Sequence, residues 1–157
     1  MDSEDTIMQH TVELCKRIAT MAHEGITRKF GSDKDKPYII HPKRMTQQAD
    51  SYFEECVCWL HDVIEDTDTT RFDLLDHGVD EDIIKAVESV TRIDGEEYLD
   101  FILRSKEHPI GRSVKILDIN DNLQSLKKGS LRDKYLMALY LLRDEEKVCR
   151  CSCHSRE

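Results

Sequence analysis

The sequence predicts an all-α fold in a single domain. Apolar residues recur every three or four positions along most of the chain, which is the spacing of one face of a helix. Only six glycines and three prolines interrupt 157 residues, and this disfavours a turn-rich β fold. No stretch alternates apolar and polar residues in the manner of a half-buried strand. At this length one hydrophobic core is expected, formed by residues 1–147.

The first predicted helix covers about residues 4–23. Its buried stripe is expected from apolar residues three or four positions apart, namely Leu14, Ile18, Met21 and Ala22. Gly25 and the polar segment 31–36 then indicate a loop. Pro42 begins the second helix, because proline is favoured at a first helical position, where its missing N–H would have no partner. His41 is therefore expected at the entrance of that helix, before its regular turns.

A third helix is expected to end near Asp66. Its apolar face is formed by Phe53, Val57, Leu60 and Ile64, and the adjoining face carries His61, Asp62, Glu65 and Asp66. His61 and Asp62 are sequence neighbours about 100° apart around a helix, so both can point into one groove. Glu65 and Asp66 follow Asp62 by three and four residues and approach the same groove.

Five further helices are predicted in the rest of the chain. Thr70 is expected to cap a short helix that Gly78 ends. The buried faces of the five helices are expected, in order, from Phe72, Leu74 and Leu75; from Ile83, Ile84, Val87 and Val90; from Tyr98, Phe101 and Ile102; from Val114, Leu117 and Leu126; and from Tyr135, Leu139 and Leu142. Asp118 and Asn122, four residues apart, share one face of the fourth of these helices.

The charge of the chain bears on its partners. A net charge of -9 argues against nucleic acid or an anionic membrane surface as a partner. Between Arg28 and Arg44, however, six basic residues accompany only two acidic ones, so an anionic ligand can dock there. The first residues are acidic, and no apolar run approaches the roughly 20 residues that span a bilayer. A cytoplasmic protein is therefore expected.

The six cysteines divide into two groups. Cys15, Cys56 and Cys58 lie among apolar residues and are expected to be small buried hydrophobes. Cys149, Cys151 and Cys153 lie in a polar tail, residues 148–157, whose alternate-residue spacing is not that of a zinc ribbon. We expect this tail to be frayed, with structural metal binding the weaker alternative.

Two imidazoles and two carboxylates in separated segments predict a divalent-metal site. These residues are His41, His61, Asp62 and Asp118. Such a ligand set suits Mn²⁺, Fe²⁺ or Zn²⁺ and leaves coordination positions for water or a substrate oxygen. Glu65 or Asp66, one helical turn beyond the central pair, can orient that water or take its proton. Taken singly, either histidine could instead be a core residue, but their occurrence together favours a metal.

The segments that carry these residues resemble a known family. The segments that carry the resemblance are residues 22–25, 28–30, 37–42, 60–67, 90–91, 114–118 and 122–123. In this order they resemble the HD-superfamily hydrolase domain of Rel/Spo-type stringent-response proteins and of the stand-alone small alarmone hydrolases. The likeness covers residues 22–123, and the compound pattern is far more specific than an isolated His-Asp pair.

The resemblance implies an all-α HD-domain helical bundle with one Mn²⁺, or another divalent ion, held by His41, His61, Asp62 and Asp118. It implies that Glu65 and Asp66 position and activate the attacking water. It also implies contacts between a guanosine polyphosphate and four further residues, namely Arg28, Lys29, Lys115 and Asn122. The reaction of the family removes the 3′-pyrophosphate of ppGpp or pppGpp, which gives GDP or GTP and pyrophosphate.

Two alternatives stay open at this point. Ile119 replaces the basic residue that usually follows the aspartate, and Asp121 stands where the family commonly has His or Tyr. A hydrolase acting on another phosphate ester, such as a reduced dinucleotide phosphate or a nucleotide monophosphate, is therefore the first alternative. A non-catalytic module that binds a nucleotide is the second. Arg28 and Lys29 would be ordinary solvated surface if no anion docks beside them.

Overall fold

Helices account for almost all regular structure in residues 3–144, the part of the chain that the computed structural model describes. The α-helices of this range are α1 Ser3–Ala22, α2 Ile40–Thr46, α3 Tyr52–Leu60, α4 Val63–Asp66, α5 Arg71–Asp76, α6 Glu81–Ser89, α7 Tyr98–Glu107, α8 Pro109–Ser125 and α9 Ser130–Arg143. A 3₁₀ turn covers Gly31–Asp33, and Thr27 and Pro37 form an isolated antiparallel bridge. The all-α prediction is confirmed. The predicted cysteine-containing tail lies outside the described residues.

The core of the described region consists of two apolar clusters that share α8. The larger cluster joins α1, α3 and α6 and includes Val114 of α8, whereas the smaller one joins α7, α8 and α9 and includes Ile119. Cys15, Cys56 and Cys58 are free thiols inside the larger cluster, as predicted. Helix α8 packs against both clusters, and its acidic residues Asp118 and Asp121 lie in this packed part of the helix. Among the described helices, none is long and apolar enough to cross a bilayer.

Three predicted core positions are wrong. Met21 is 67% exposed, because it lies about 120° around α1 from the face that buries Cys15 and Ala19. Phe72 and Leu75 are also exposed, and only Leu74 of α5 enters the core. Helix α5 is six residues long, which is fewer than two turns, and Leu74 is its one buried residue.

The predicted helix starts and ends are confirmed at α5 and need small corrections elsewhere. Thr70 caps α5 in a capping box, in which its hydroxyl accepts from the Asp73 N–H while the Asp73 carboxylate accepts from the Thr70 N–H. Val90 and Leu126, predicted inside helices, are the first residues after α6 and α8.

Helix α2 begins two residues before the position predicted for it. His41 is its second residue and Pro42 its third, so the prediction that His41 precedes the regular turns is wrong. Proline is tolerated at this position because none of the first N–H groups of a helix has an intrahelical partner. His41 is consequently held by regular backbone geometry, and its side chain is fully buried.

The predicted third helix is interrupted at two of the predicted metal ligands. Helix α3 ends at Leu60 and α4 begins at Val63, so His61 and Asp62 occupy the junction. Asp62 has φ −107° and ψ 1°, in the sparsely populated region where many active-site residues are found. The turn is closed by a 2.9 Å hydrogen bond from the Asp66 N–H to the Asp62 carbonyl. The side chains of His61 and Asp62 are thereby brought to the same side.

The turn at Gly31 approaches α8 so closely that a side chain has no room. Gly31 has φ +70°, and a Cβ atom there would collide with the carbonyl and hydroxyl oxygens of Ser125. Gly25 has φ +76° but no atom within 4 Å of the corresponding position. The two glycines therefore share a backbone conformation and differ in the space around them.

Replacing Gly31 with alanine is expected to destabilise the protein more than replacing Gly25. Both substitutions place a side chain in the left-handed region, which costs about 1–2 kcal/mol. Gly31→Ala must also displace α8 or the turn, and such overpacking adds about 1–3 kcal/mol. Urea unfolding of the two variants and the wild type measures the difference. Equal free energies of unfolding for the two variants would contradict the close approach of the turn to Ser125.

Candidate metal centre and active site

The four predicted metal ligands converge at one place. His41 comes from α2, His61 and Asp62 from the α3–α4 junction, and Asp118 from the middle of α8. Ligand atoms of His41, His61 and Asp62 lie within 4.8 Å of one another. Asp118 Oδ1 is 3.1 Å from His41 Nε2 and 3.9 Å from His61 Nε2. Residues as far as 77 positions apart in sequence thus meet in one cluster.

The orientation of the His61 imidazole suits a bound cation. His61 Nδ1 donates to the Cys58 carbonyl oxygen at 2.8 Å, so Nε2 is the ring nitrogen that faces the cluster. That buried Nε2 lies 2.8 Å from Asp62 Oδ2 without hydrogen-bond geometry and has no hydrogen-bond partner within residues 3–144. An unpartnered buried nitrogen is costly in a folded protein. A divalent ion with imidazole and carboxylate ligands would satisfy it.

The ionised carboxylates of the cluster also favour binding of a cation. Burial alone would raise the pKa of Asp62 and Asp118. Burial is the largest single effect at each residue. The interactions of Asp62 with His61 and His41 together outweigh it, as do those of Asp118 with Lys115, His41 and His61, so both carboxyl pKa values fall below their usual range. Burial lowers the pKa of His61, but its interactions with Asp62, Asp118 and the Cys58 carbonyl together raise it to about 9. Both carboxylates therefore stay ionised at neutral pH and available to a metal.

A cavity of about 310 Å³ opens onto this cluster. Three of the four ligand residues line it, with His61 enclosed behind them. The two predicted catalytic residues and all four predicted substrate contacts line it as well, namely Glu65, Asp66, Arg28, Lys29, Lys115 and Asn122. Apolar and aromatic side chains contribute to the lining too, namely Phe30, Leu126, Leu131 and Tyr135. The cavity thus contains both charged and apolar side chains.

Glu65 and Asp66 on α4 lie next to the predicted ligands. The Arg92 N–H donates to Glu65 Oε2 at 2.9 Å, which fixes the direction of that carboxylate. Burial raises the pKa of both side chains, and the charge of Asp62 raises each further. Carboxyl groups with raised pKa values are suited to proton transfer near neutral pH.

The backbone donor to Glu65 belongs to a segment, residues 91–97, that one arginine holds. The Arg104 guanidinium donates to Glu96 Oε1 at 2.7 Å and to the carbonyls of Thr91 at 2.7 Å and Glu88 at 3.1 Å. The hydrogen bonds from Arg104 outweigh the effect of burial and lower the pKa of Glu96 to about 2. The position of the Glu65 carboxylate therefore depends on α7, which supplies Arg104.

The basic residues of the cavity are tied to its acidic ones. Arg28 Nη2 donates to Asn122 Oδ1 in a close contact, and Asn122 Nδ2 donates to Asp118 Oδ1 at 2.7 Å. Lys115 Nζ is 2.8 Å from Asp118 Oδ2 and lies 4.7 Å from the centre of the Phe101 ring. Lys29 is exposed at the cavity wall. Three positive side chains thus share the cavity with the predicted metal ligands.

Comparisons with known proteins agree with this architecture. A solved metazoan ortholog of SpoT, which hydrolyses ppGpp and plays a role in starvation responses, superposes with a TM-score of 0.66 at 21% identity, over 84% of this chain and 83% of that one. The chain has the HD-domain fold. The guanosine-3′,5′-bis(diphosphate) 3′-pyrophosphohydrolase of Aquifex aeolicus is 32% identical over 133 residues, which cover 75% of this chain. The predicted similarity to Rel/Spo-type ppGpp hydrolases is confirmed. This HD domain spans 18% of the length of the Aquifex relative, and no family model matches it.

Tyr38 of this HD domain contacts a predicted metal ligand, and this contact was not predicted. The Tyr38 hydroxyl donates to Asp62 Oδ2 in a close contact, and the Tyr38 ring stacks on His23 at a centroid distance of 4.4 Å. His23 follows the end of α1 and donates from Nδ1 to the Ala19 carbonyl at 3.0 Å. Tyr38 lies in segment 37–42, which carries the resemblance. The sequence therefore shows the residue but not its contact with Asp62.

A second unpredicted contact of the HD domain is made by Asp121. Asp121 and Ile119 are the two positions at which the sequence differs from the pattern of the family. Asp121 is fully buried and lies 2.6 Å from His41 Nδ1 through its Oδ2 atom. Ile119 is buried in the smaller apolar cluster. Neither residue lines the cavity. Asp121 thus adds a carboxylate behind a predicted metal ligand, whereas Ile119 contributes to the core.

Proposed function

We propose that this chain is a metal-dependent phosphohydrolase that removes the 3′-pyrophosphate of ppGpp or pppGpp. Water cleaves the bond between ribose O3′ and phosphorus, and the products are pyrophosphate with GDP or GTP. The observation that carries the proposal is the cavity at which four predicted ligands, two proton-transfer carboxylates and three cationic side chains lie together. The guanosine-3′,5′-bis(diphosphate) named in the Aquifex relative supplies the substrate class.

His41, His61, Asp62 and Asp118 would hold the ion, which we propose to be Mn²⁺. A bound divalent ion supplies Lewis acidity, which makes a water more acidic and stabilises developing phosphoryl charge. The unpartnered Nε2 of His61 and the low carboxyl pKa values of Asp62 and Asp118 support this assignment. Zn²⁺ or Fe²⁺ would suit the same ligands, so the choice of Mn²⁺ rests on the family resemblance.

Glu65 and Asp66 would direct the attacking water and accept its proton. Each lies beside the ligand pair on α4, and the raised pKa of each carboxyl lets it exchange a proton near neutral pH. The Arg92 N–H occupies one oxygen of Glu65, so the other oxygen is the one available to the water. A fixed carboxylate loses little entropy when the reaction geometry forms.

Arg28, Lys29 and Lys115 would neutralise the phosphate groups, and Asn122 would orient Arg28. Cations placed around developing phosphoryl charge are often the largest contribution to catalysis. Arg28 is held over the Tyr38 ring at 5.6 Å, an arrangement that leaves the guanidinium plane available to a base or a phosphate. The apolar and aromatic side chains of the lining, Phe30, Leu126, Leu131 and Tyr135, would accept the purine.

The test is product analysis with the purified chain, Mn²⁺ and three substrates. We expect pyrophosphate and GDP from ppGpp, and no phosphate from a reduced dinucleotide phosphate or a nucleotide monophosphate. Phosphate release from either of these compounds without pyrophosphate release from ppGpp would replace the proposal with the other phosphate ester. Calorimetric binding of ppGpp without turnover, with Mn²⁺, Zn²⁺ and Fe²⁺ each tried, would replace it with a binding module.

A further inference from the structure

We propose that Asp121, gripped by Arg44, is a positioning residue that orients His41 for metal binding, and that Asp33 extends this arrangement to the turn after Arg28. The inference rests on the metal site of the proposed function. It concerns residues outside that site, which neither line the cavity nor reach the predicted ion position.

The first step is the orientation of His41. Its Nδ1 atom lies 2.6 Å from Asp121 Oδ2, and its Nε2 atom lies 3.1 Å from Asp118 Oδ1. Both carboxylates are acceptors when ionised, but Asp121 lies closer to the ring, so we assign the proton to Nδ1 as the donor to Asp121. The lone pair of Nε2 is then directed at the cluster with His61 and Asp62. A carboxylate behind a ligating imidazole fixes its tautomer and increases its basicity.

The second step is the support of Asp121 itself. Arg44 Nε donates to Asp121 Oδ1 at 2.7 Å, and Arg44 Nη2 donates to Asp121 Oδ2 at 2.9 Å. This two-point contact prevents the carboxylate from rotating and compensates its charge. Asp121 is fully buried, and an uncompensated carboxylate at such a position would be strongly unfavourable. Arg44 and Asp121 lie on different helices, α2 and α8, so the pair also fixes the distance between two elements that supply ligands.

The third step links this pair to the turn at Gly31–Asp33. Arg44 Nη2 donates to Asp33 Oδ2 at 2.6 Å, and Lys36 Nζ donates to Asp33 Oδ1 at 2.8 Å. The same segment is closed by a 2.8 Å hydrogen bond from the Arg28 N–H to the Lys36 carbonyl. A continuous chain of charged contacts therefore runs from a predicted metal ligand to the segment that presents Arg28.

Metal affinity tests the inference without any substrate. Asp121→Asn keeps the size of the side chain and removes its charge. We expect Mn²⁺ binding to the purified protein, measured by competition with a fluorescent chelator, to weaken by about 10- to 100-fold, the usual effect of removing such a partner. Asp33→Asn, one contact further away, is expected to weaken binding less than Asp121→Asn. Asp100→Asn, on the exposed start of α7, is the matched control and should bind as the wild type does.

The tautomer of His41 gives a readout that a purely structural role would not change. In the metal-free wild type labelled with ¹⁵N-histidine, NMR should report the Nδ1–H form of His41, and Asp121→Asn should shift it toward the Nε2–H form. An Nε2–H form in the wild type, which needs no variant to fold, would overturn the inference. So would Asp121→Asn binding Mn²⁺ within twofold of the wild type. Absence of Mn²⁺ binding by the wild type would overturn the metal site itself, and the inference with it.

Discussion

Asp62→Ala is expected to abolish pyrophosphate release from ppGpp. The substitution removes one of the four predicted ligands, and it also leaves the Tyr38 hydroxyl without the carboxylate to which it donates. A catalytic metal contributes several kcal/mol of transition-state stabilisation, and each 1.36 kcal/mol is tenfold in rate. We therefore expect kcat/KM to fall by about a thousandfold or more, together with loss of Mn²⁺ binding, measured by product separation and chelator competition.

The control for this substitution is Asp76→Ala, at the exposed end of α5. It removes the same carboxylate from a position remote from the cluster and should keep the activity of the wild type. Circular dichroism of both variants establishes that each has folded. An Asp62→Ala protein that is folded, binds Mn²⁺ as the wild type does and turns over ppGpp normally would exclude the proposed centre.

Glu65→Gln and Asp66→Asn are expected to lower kcat while Mn²⁺ binding is retained. Each removes a proton acceptor without removing a predicted ligand, and general acid–base catalysis contributes about 10²- to 10⁴-fold. In Glu65→Gln the amide oxygen can still accept the hydrogen bond from the Arg92 N–H, so the orientation of the side chain is conserved and its charge alone is lost. Steady-state kinetics with ppGpp, combined with chelator competition, separates this effect from loss of the metal.

The pH dependence gives the same assignment a second test. A carboxylate accepts the proton of water only when it is ionised, so the rate should rise with pH through the pKa of the responsible group. Because burial raises the pKa of Glu65 and of Asp66, the rise should lie above the ordinary carboxyl range. Glu107→Gln, at the exposed end of α7, is the control and should leave the profile unchanged. Full activity in both Glu65→Gln and Asp66→Asn would remove these residues from the mechanism.

The sequence was sufficient to predict the fold class and the residues that meet at the centre. Regular apolar spacing indicates helices, and the separated motifs identify His41, His61, Asp62 and Asp118, because each carries a residue type that a divalent ion requires. Their individual roles, and the single-domain boundary at residue 147, stay predictions.

The contacts that support these residues could not be predicted in the same way. Arg44 and Asp121 are 77 positions apart, and neither periodicity nor a local motif relates two such residues. The break between α3 and α4 was also missed, since the apolar spacing continues through it from Leu60 to Ile64. Exposure at the ends of a buried stripe, as at Met21, depends on which neighbouring helix packs there, and this is a tertiary property.

The interrupted helix at His61 and Asp62 sets a limit on how this protein can be made more robust. Substitutions that favour an unbroken helix across residues 60–63 would improve local backbone propensity and would turn one of the two side chains away from its present direction. Gains in heat resistance obtained there should therefore be accompanied by weaker binding at the predicted metal centre. Directed evolution for thermal tolerance should spare this junction and accumulate its changes on the outer faces of α1, α5 and α9.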